Sequence, residues 1–348
     1  MDGQRPSAYD RQMNESSIGV VVIGRNEGER LRVCLASLSD VQARVYVDSG
    51  STDGSCALAR TLGFDVVELT LPPGFTAARA RNAGIERLVE QSPGLAYVQT
   101  VDGDCEVRTD WLENARRGLE EDGERAVVFG RRRERYPRAN VYHTACDDEW
   151  NVRVGEVLSC GGDALFRITA LKEVGGFNPL LIAGEELDLC LRLRQHGWCI
   201  WSSGCEMTLH DVAIERFQQW WRRSRRTGFA FAELVDMHQA GADPAWSRLL
   251  QSALTWSVVA LVALTAAIFG LAWQQPVAVK IAVFFSAMFV LQLVRMALRQ
   301  RGRVDGLGNG FKLACMIMVA KAAQSVGWVQ YKLNRVTGAP TSIIEYKR

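Results

Sequence analysis

The chain has 348 residues, of which 48% are hydrophobic and 23% charged, a composition typical of a folded rather than a disordered protein. Its 41 lysines and arginines nearly balance its 39 aspartates and glutamates, and the net charge of +2 gives no electrostatic basis for binding nucleic acid. The hydrophobic residues concentrate after Arg248, so we expect a large domain followed by an apolar appendage.

The nine cysteines and the start of the chain indicate a reducing compartment. The number is odd and no two of them form a Cys-x-x-Cys pair, which argues against a disulfide framework and against a structural zinc site. The first 17 residues are polar and lack the basic and apolar regions of a signal peptide. We therefore expect the polar part of the chain to lie in the cytosol.

Runs of β-branched residues alternate with helical patterns over the first hundred residues. The predicted strands are 18–23, 45–47, 64–69 and 95–101, and the predicted helices between them are 28–38, 54–62 and 79–89. This alternation predicts an α/β fold with a mostly parallel sheet covered by helices. In such sheets, ligands bind at the carboxyl ends of the strands.

Polar residues lie at the predicted carboxyl ends of three strands. Asn26 and Glu27 follow the first strand, and Asp48 ends the second. Asp102 and Asp104 follow the strand that begins near residue 95, and we expect one cleft to collect all five side chains. Neither the dinucleotide-binding glycine pattern nor a Walker loop is present, so a bound diphosphate would need another source of positive charge.

The Asp102-Gly103-Asp104 sequence could supply that charge through a metal ion. Two carboxylates at this spacing can hold Mg²⁺ or Mn²⁺, which bridges diphosphate oxygens. The alternative is an ordinary Asp-Gly turn in which Asp104 caps the following segment. The three residues taken alone favour the turn.

A second acidic group, Glu185, Glu186 and Asp188, begins a predicted helix. One of these carboxylates could act as a general base toward an acceptor hydroxyl. The alternative is structural, because acids favour helix N-termini and Asp188 precedes Arg192 by four residues, the spacing of a solvated ion pair. The spacing leaves both interpretations open.

Seven segments, taken in order, resemble the inverting family 2 glycosyltransferases of the GT-A fold. They are VVVIGRNEGERLRVCLASL, VYVDSGSTDGS, ARARNAGIERL, VDGD, GGDALFR, VGGFN and GEELDLCLRLRQHGW. The resemblance covers roughly residues 18–226 and rests on the succession of the segments. It implies a Rossmann-like GT-A domain, and it raises the metal and base interpretations above their structural alternatives.

The resemblance implies roles for the residues at the strand ends. Asp48 would contact the nucleotide base, while Asp102 and Asp104 would serve the ribose and the metal-bound diphosphate, with Mn²⁺ or Mg²⁺ as the cofactor. Asn26 and Glu27 match nucleotide contacts that follow the first strand in this family. The site would therefore bind a nucleotide-diphosphate sugar.

Two further positions match the family near the nucleotide and the metal. Arg81, followed by Asn82, matches a helix start close to the nucleotide, and a salt bridge from Arg81 to Glu86 or a neighbour is the alternative. His210 matches a position that ligates the metal in some relatives, and a structural hydrogen bond is the alternative.

Glu186 matches the family's catalytic base, which is usually the aspartate of a Glu-Asp pair. Glu185 is the second candidate for the base, and Asp188 is expected to orient the acceptor or the helix. Residues 218–223, QQWWRR, resemble the QxxRW motif of processive membrane synthases but lack its terminal tryptophan. Arg222 would contact the diphosphate, or it would belong to an interfacial belt of tryptophans and arginines facing anionic lipid headgroups.

Two apolar stretches, 249–273 and 276–298, predict a transmembrane helical hairpin. Arginines precede the first stretch and follow the second, whereas the connection between them carries none, so both ends should face the cytoplasm. A third stretch, 311–331, has polar residues at helical spacing, which predicts a helix lying in the membrane interface. These polar residues are Lys321, Gln324, Ser325 and Lys332. A third transmembrane helix is the alternative.

These observations predict five regions. They are a polar tail (1–17), a GT-A domain (18–230), a juxtamembrane linker (231–248), a transmembrane hairpin (249–303), and an interfacial or third transmembrane helix with a basic tail (304–348). Membrane lipids are the expected partners of the interfacial helix in the last region.

The predicted function is metal-dependent, inverting transfer of a sugar from a nucleotide-diphosphate donor, with a UDP-sugar expected, to a lipid-linked or polysaccharide acceptor. The predicted location is the bacterial inner membrane, with several crossings and a cytoplasmic catalytic domain. The alternatives are a catalytically silent sugar-nucleotide-binding scaffold of a polysaccharide assembly complex, and a processive synthase. Assembly into a homo-oligomer is left open.

Overall fold

The computed structural model describes residues 17–71, 74–301 and 306–339. The predicted polar tail, apart from Ser17, and the basic tail from residue 340 onward lie outside these ranges. The described chain divides into two units. The first runs to Tyr136 and resumes over Glu149–Val212, and the second comprises Pro137–Asp148 and the residues from Ala213 onward.

One nine-stranded sheet forms the centre of the first unit. Its strands are β1 (Ile18–Gly24), β2 (Ala43–Asp48), β3 (Asp65–Glu68), β4 (Tyr97–Asp102), β5 (Cys105–Val107), β6 (Arg125–Glu134), β7 (Gly155–Val157), β8 (Ala164–Arg167) and β9 (Cys199–His210). They lie in the order β3-β2-β1-β4-β8-β6-β9-β5, and β7 pairs with β9.

The helices are α1 (Glu29–Ala36), α2 (Ser55–Thr61), α3 (Ala77–Gln91), α4 (Trp111–Glu120), α5 (Val141–Glu149), α6 (Ile168–Glu173), α7 (Glu185–Gln195), α8 (Phe217–His238), α9 (Pro244–Ala272), α10 (Pro276–Gln300) and α11 (Gly306–Thr337). The predicted strands and helices up to residue 102 are all present, each within a few residues of its predicted bounds.

The sheet corrects one part of the prediction, since it is mixed rather than mostly parallel. The four strands that the sequence predicted, β1 to β4, are parallel neighbours. Beyond them, β8 runs antiparallel to both β4 and β6, and β5 and β7 run antiparallel to β9. The reason is that β8, which comes late in the chain, inserts between β4 and β6 and reverses the strand direction there.

The strand β1 lies at the centre of the parallel part because its sequence, IGVVVIG, can be buried on both faces. Helix α3 packs closely over it. A Cβ atom at Gly84 would lie 2.3 Å from Val21 and 2.9 Å from Val47, so only glycine allows this approach. The close packing fixes the N-terminal half of α3, which carries Arg81, against the sheet.

In the second unit, α9 and α10 are long and apolar enough to cross a membrane. Helix α9 begins as expected for a capped helix. Asp243 accepts a hydrogen bond from the Ala245 amide at 2.9 Å, and Pro244 occupies the first turn. The two predicted apolar stretches are thus helices joined by a short connection.

The residues predicted as a linker, 231–248, do not form an irregular segment. They form the end of α8, a short 3-10 turn (Gln239–Gly241) and the start of α9. Helix α8 groups with the second unit, and the predicted domain bounds stay a prediction.

Helix α11 extends beyond the predicted 311–331 at both ends and packs tightly against α8. A Cβ atom at Gly228 of α8 would lie 2.0 Å from the Gln324 carbonyl oxygen, and one at Gly327 of α11 would lie 2.1 Å from the Arg225 carbonyl oxygen. Glycine at both positions therefore lets the two helix backbones touch.

Most of the polar face predicted for α11 contacts neighbouring helices. The Lys321 ammonium donates to Ser252 Oγ of α9 at 2.7 Å, and the Ser325 hydroxyl lies 2.8 Å from Ser257 Oγ of the same helix. Lys332 lies 3.6 Å from a carboxylate oxygen of Asp236 on α8. The polarity of this face is therefore explained by contacts between helices, and the interfacial placement of α11 stays a prediction.

Candidate active site

The carboxyl ends of β1, β2 and β4 lie side by side. In the strand register Gly24 is opposite Asp48, and Ile23 is opposite Asp102. This alignment brings the loops after the three strands to one edge of the sheet, where α/β proteins bind their ligands. The sequence prediction that these strand ends meet is confirmed by the register.

The loops after β1 and β2 are joined by hydrogen bonds. The backbone amide of Asn26 donates to Ser51 Oγ at 2.9 Å, and the side-chain Oδ1 of Asn26 accepts from the backbone amide of Thr52 at 2.7 Å. The Gly28 amide donates to Asp53 Oδ2 at 3.1 Å. Asn26 has a φ of 55°, a left-handed conformation that asparagine tolerates better than most residues. Asn26 therefore shapes this edge of the site.

Asp48 holds the loop that follows β2. Its carboxylate accepts hydrogen bonds from the Gly50 and Ser51 amides at 2.9 and 2.7 Å and from the Tyr46 hydroxyl at 2.9 Å. The side chain is buried. Glu27, predicted with Asp48 as a nucleotide contact, lies 2.7 Å from the Arg30 guanidinium. The nucleotide roles of both acids stay predictions.

Arg81 joins the two acidic motifs. Its Nη2 lies 3.0 Å from Asp102 Oδ1, and its Nη1 lies 2.9 Å from Glu185 Oε1 and 3.0 Å from Glu186 Oε1. The guanidinium is buried, with a side-chain exposure of only 2%. Burial alone would lower the pKa of Arg81, but the three carboxylates more than offset this and raise it, so Arg81 stays charged. The alternative salt bridge to Glu86 is not the arrangement seen here.

Glu186 has the properties of a base that works near neutral pH. Its side chain is 18% exposed, whereas that of Glu185 is 5% exposed. Burial and the neighbouring charge of Glu185 raise the pKa of Glu186 to about 7, against the opposing effect of Arg81. A carboxylate with this pKa and this access to solvent can accept a proton from a bound hydroxyl.

Asp188 is engaged in the structure of its own helix. Its Oδ2 accepts hydrogen bonds from Arg192 Nε and Nη2 at 2.9 and 2.7 Å. Arg192 also donates to the carbonyl oxygens of Val174 and Gly176. The pair predicted from the four-residue spacing is therefore present, but Asp188 is buried in it rather than solvated. Its geometry matches the role of orienting α7.

Three residues that the sequence did not single out surround Asp102. Asp163, which has no exposure, accepts hydrogen bonds from the Asp102 amide and from Thr208 Oγ1, both at 2.9 Å. Arg132 Nη2 lies 2.9 Å from Asp163 and 3.2 Å from Asp102 Oδ2, and its guanidinium faces the Trp150 ring. Both oxygens of Asp102 are thus paired with arginines.

The signal that could have pointed to this network is the GGD sequence at 161–163. A Cβ atom at Gly162 would lie 2.2 Å from Arg81 Nη2, so glycine is needed for the loop to pass the guanidinium. The partners of Asp163 come from β4, β6 and β9, which no local pattern brings together.

Asp104 and His210 form the part of the site that fits a divalent cation. His210 Nε2 lies 3.1 Å from Asp104 Oδ2, and with Cys105 they place one potential ligand atom each within 4.8 Å of one another. The other ring nitrogen, Nδ1, faces Oε2 of the buried Glu134 at 3.8 Å, which leaves Nε2 on the side of Asp104. A carboxylate and an imidazole are ligands that divalent transition metals accept. Among the described residues, Asp102 is not in this group, since its two oxygens are paired with Arg81 and Arg132, and its predicted metal role stays a prediction.

The charge state of His210 follows from the same contacts. Burial alone would lower its pKa, but Asp104 and Glu134 outweigh burial, and the pKa is raised. Glu134 itself is buried and accepts hydrogen bonds from the Tyr136 and Val212 amides.

Arg222 lies on α8 in the second unit, and its predicted diphosphate contact stays a prediction.

Comparison with known proteins identifies the family of part of the chain. Residues 19–169 match the family described as Glycosyl transferase family 2. Succinoglycan biosynthesis protein ExoA of Rhizobium meliloti (strain 1021) is 26% identical over 208 residues, which cover 55% of this chain and 62% of ExoA. The chain thus matches less than two thirds of the length of this relative.

A solved structure resembles the fold. Mannosyltransferase PcManGT from Pyrobaculum calidifontis, in complex with GDP-Man and Mn²⁺, matches with a TM-score of 0.56 and 19% identity, over 92% of this chain and 88% of that one. At this identity the likeness concerns the fold alone. The family match and the sheet lead to one conclusion: residues 19–169 belong to a family 2 glycosyltransferase domain, and its fold is GT-A.

Proposed function

We propose that the chain transfers a sugar from a nucleotide-diphosphate donor to a hydroxyl group of a lipid-linked or polysaccharide acceptor, with inversion. The observation that carries the proposal is the buried Arg81, which joins Asp102 of one acidic motif to Glu186 of the other. A donor-binding acid and a base are thus held at one site. The name of ExoA supports a polysaccharide product.

In the proposed reaction Glu186 takes the proton of the acceptor hydroxyl. The oxygen of that hydroxyl forms a bond to the anomeric carbon, while the bond from this carbon to the diphosphate breaks and the diphosphate leaves with the electron pair. The pKa of about 7 keeps much of Glu186 deprotonated at neutral pH and leaves it basic enough to accept the proton. Arg81 and Glu185 hold the base in place.

Asp104 and His210 would hold the metal ion, and PcManGT, which shares the fold, was solved with Mn²⁺ beside its nucleotide sugar. Mn²⁺ or Mg²⁺, when bound, stabilises negative charge on the departing diphosphate. We assign Asn26, Glu27, Asp48 and Asp102 to the nucleotide end of the donor. A UDP-sugar is the donor that we propose, and GDP-mannose is the first competitor to test because PcManGT binds it.

We further propose that α9 and α10 cross the bacterial inner membrane as a hairpin, with the catalytic domain on the cytoplasmic side. Their length and hydropathy support the crossings. The arginines that flank the hairpin, and their absence from the connection at 273–275, support the orientation. Arg222 would contact the donor diphosphate or anionic lipid headgroups.

The test is to incubate the purified full chain with a panel of nucleotide sugars and Mn²⁺ and to measure the release of nucleoside diphosphate. We expect release with one donor, and its loss in the Asp104→Ala and Glu186→Gln variants. Donor binding without release by the wild-type chain, with any acceptor extract, would favour the silent scaffold.

A further inference from the structure

The polar contacts between α9 and α11 leave one charge without a counter-ion. Lys321 is half-buried, and its ammonium donates to a single described partner, Ser252 Oγ, at 2.7 Å. No carboxylate of the described residues lies within ion-pair distance of it. An ammonium group has three hydrogens to donate, and a charge shielded from water is costly unless an opposite charge accompanies it.

An apolar groove of about 300 Å³ begins at Trp256, one helical turn along α9 from Ser252, the partner of this charge. It lies between α9, α10 and α11, and its walls include Trp256, Ala260, Phe289, Leu293 and Met318. The Trp256 and Phe289 rings meet edge to face with their centres 6.5 Å apart. The hydroxyl of Ser257, which bonds to Ser325, forms the polar edge of the groove.

The charge of Lys321 and the apolar groove follow one another along α9, as the headgroup and the acyl chains do in a lipid molecule. Ser252, Trp256 and Ala260 are spaced by four residues and therefore share one face of the helix. At 1.5 Å per residue, Trp256 lies about 6 Å and Ala260 about 12 Å beyond Ser252 along the helix axis. In the proposed orientation this direction leads from the cytoplasmic surface into the hydrocarbon, so Lys321, bonded to Ser252 in the first turn of the 249–273 stretch, lies near the cytoplasmic end of the span, next to the headgroups.

We propose that the groove between α9, α10 and α11 binds one phospholipid with an anionic headgroup, whose phosphate is bound by Lys321 and whose acyl chain lies along Trp256 and Phe289. Phosphate oxygens accept the hydrogen bonds that the ammonium has left to donate and supply the missing negative charge. A free phosphate ion would leave the apolar part of the groove unfilled. The proposal depends on the membrane placement of α9 and α10 but not on sugar transfer.

The test uses the fluorescence of Trp256 in the full chain, reconstituted in phosphatidylcholine vesicles. Trace amounts of brominated phosphatidylglycerol or brominated phosphatidylcholine are added as quenchers, and the part of the quenching that is lost in Trp256→Phe reports the groove. We expect the phosphatidylglycerol tracer to quench Trp256 at about one fifth of the concentration that the phosphatidylcholine tracer needs. A single lysine near a headgroup can provide a preference of this size.

Three variants isolate the charge. We expect Lys321→Gln to bring the preference close to one-fold, and Lys321→Arg to keep it because the charge remains. Lys312→Gln, on an exposed position of the same helix, is the matched control and should change nothing.

Equal quenching by the two tracers in the wild-type chain, or an undiminished preference in Lys321→Gln, would overturn the proposal. So would the absence of quenching by both tracers, as expected if a second copy of the chain covered the groove or if the hairpin were not in the membrane. Loss of sugar transfer alone would not affect the lipid preference, so this result and that of the proposed function can be separated.

Discussion

Nη1 of Arg81 lies 3.0 Å from Oε1 of Glu186, and the guanidinium is almost completely shielded from water. This contact lowers the pKa of Glu186, while burial and the charge of Glu185 raise it, and the balance is a pKa of about 7. Two neighbouring charges thus help to set the pKa of the proposed base: Arg81 lowers it and Glu185 raises it.

A pH dependence follows from this balance. Glu186 must be deprotonated to act as a base, so turnover should rise with pH through about 7 and level off above it. Glu185→Gln removes the neighbouring negative charge that raises the pKa of Glu186, so the rise should move to lower pH. The measurement is kcat against pH for both forms, at saturating donor and metal. A rise that stays in place or moves to higher pH in Glu185→Gln would contradict this assignment.

Asp163 should act as a positioning residue for the metal end of the site. It accepts buried hydrogen bonds from the Asp102 amide and from the Thr208 hydroxyl, and these two residues lie two positions before the proposed metal ligands Asp104 and His210. We expect Asp163→Asn to weaken Mn²⁺ binding by about 10–100-fold, the usual effect of losing a group that orients metal ligands. The measurement is the free Mn²⁺ signal in electron paramagnetic resonance, without any donor sugar.

Thr208→Val is the control for Asp163, because it removes only one hydrogen bond to the same carboxylate. It should have a clearly smaller effect on Mn²⁺ binding. Equal metal affinity in wild type and Asp163→Asn, with an equal melting temperature, would mean that Asp163 does not position the metal ligands.

Asp188 should matter for stability more than for chemistry. Asp188→Asn removes the charge from a buried bidentate pair with Arg192, and we expect the free energy of unfolding to fall by about 2 kcal/mol. Turnover at a temperature where the variant is folded should be close to that of the wild type. Thermal melting and turnover, measured on the same preparation, check both parts. Normal stability with lost turnover would instead give Asp188 a role in binding the acceptor.

The membrane arrangement can be tested by labelling cysteines in intact cells. The connection after α9 carries no basic residue, whereas the chain after α10 does, so a cysteine at Gln275 should react with an impermeant reagent and one at Lys347 should not. Labelling of Lys347→Cys from outside would mean that α11 also crosses the membrane.

The sequence predicted the local parts of the fold well, because β1 to β4 and the helices between them carry strong periodic patterns. It could not predict that β8, from residues 164–167, would insert between β4 and β6. Such a pairing depends on residues far apart in the chain. For the same reason the sheet was expected to be mostly parallel and proved to be mixed.

The candidate site was predicted residue by residue, but its connections were not. Arg81, Asp102 and Glu186 were each named from the family resemblance, whereas the contact of Arg81 with both acids joins residues that are 21 and 105 positions away from it. The sequence did not single out Asp163, because its contacts with Arg132 and Thr208 join residues that are far apart in the chain. Lys321 was taken as part of a polar face, and its bond to Ser252 requires knowing how α9 and α11 pack.

We propose that Glu186 is the base of a sugar transfer. Glu186→Gln keeps the size of the side chain and its hydrogen-bonding oxygen but removes the proton acceptor. The decisive measurement is the rate of nucleoside diphosphate release by this variant with its donor and acceptor, together with donor affinity measured by calorimetry. We expect turnover to fall by about 10²–10⁴ with donor affinity little changed, and wild-type turnover in Glu186→Gln would contradict the account.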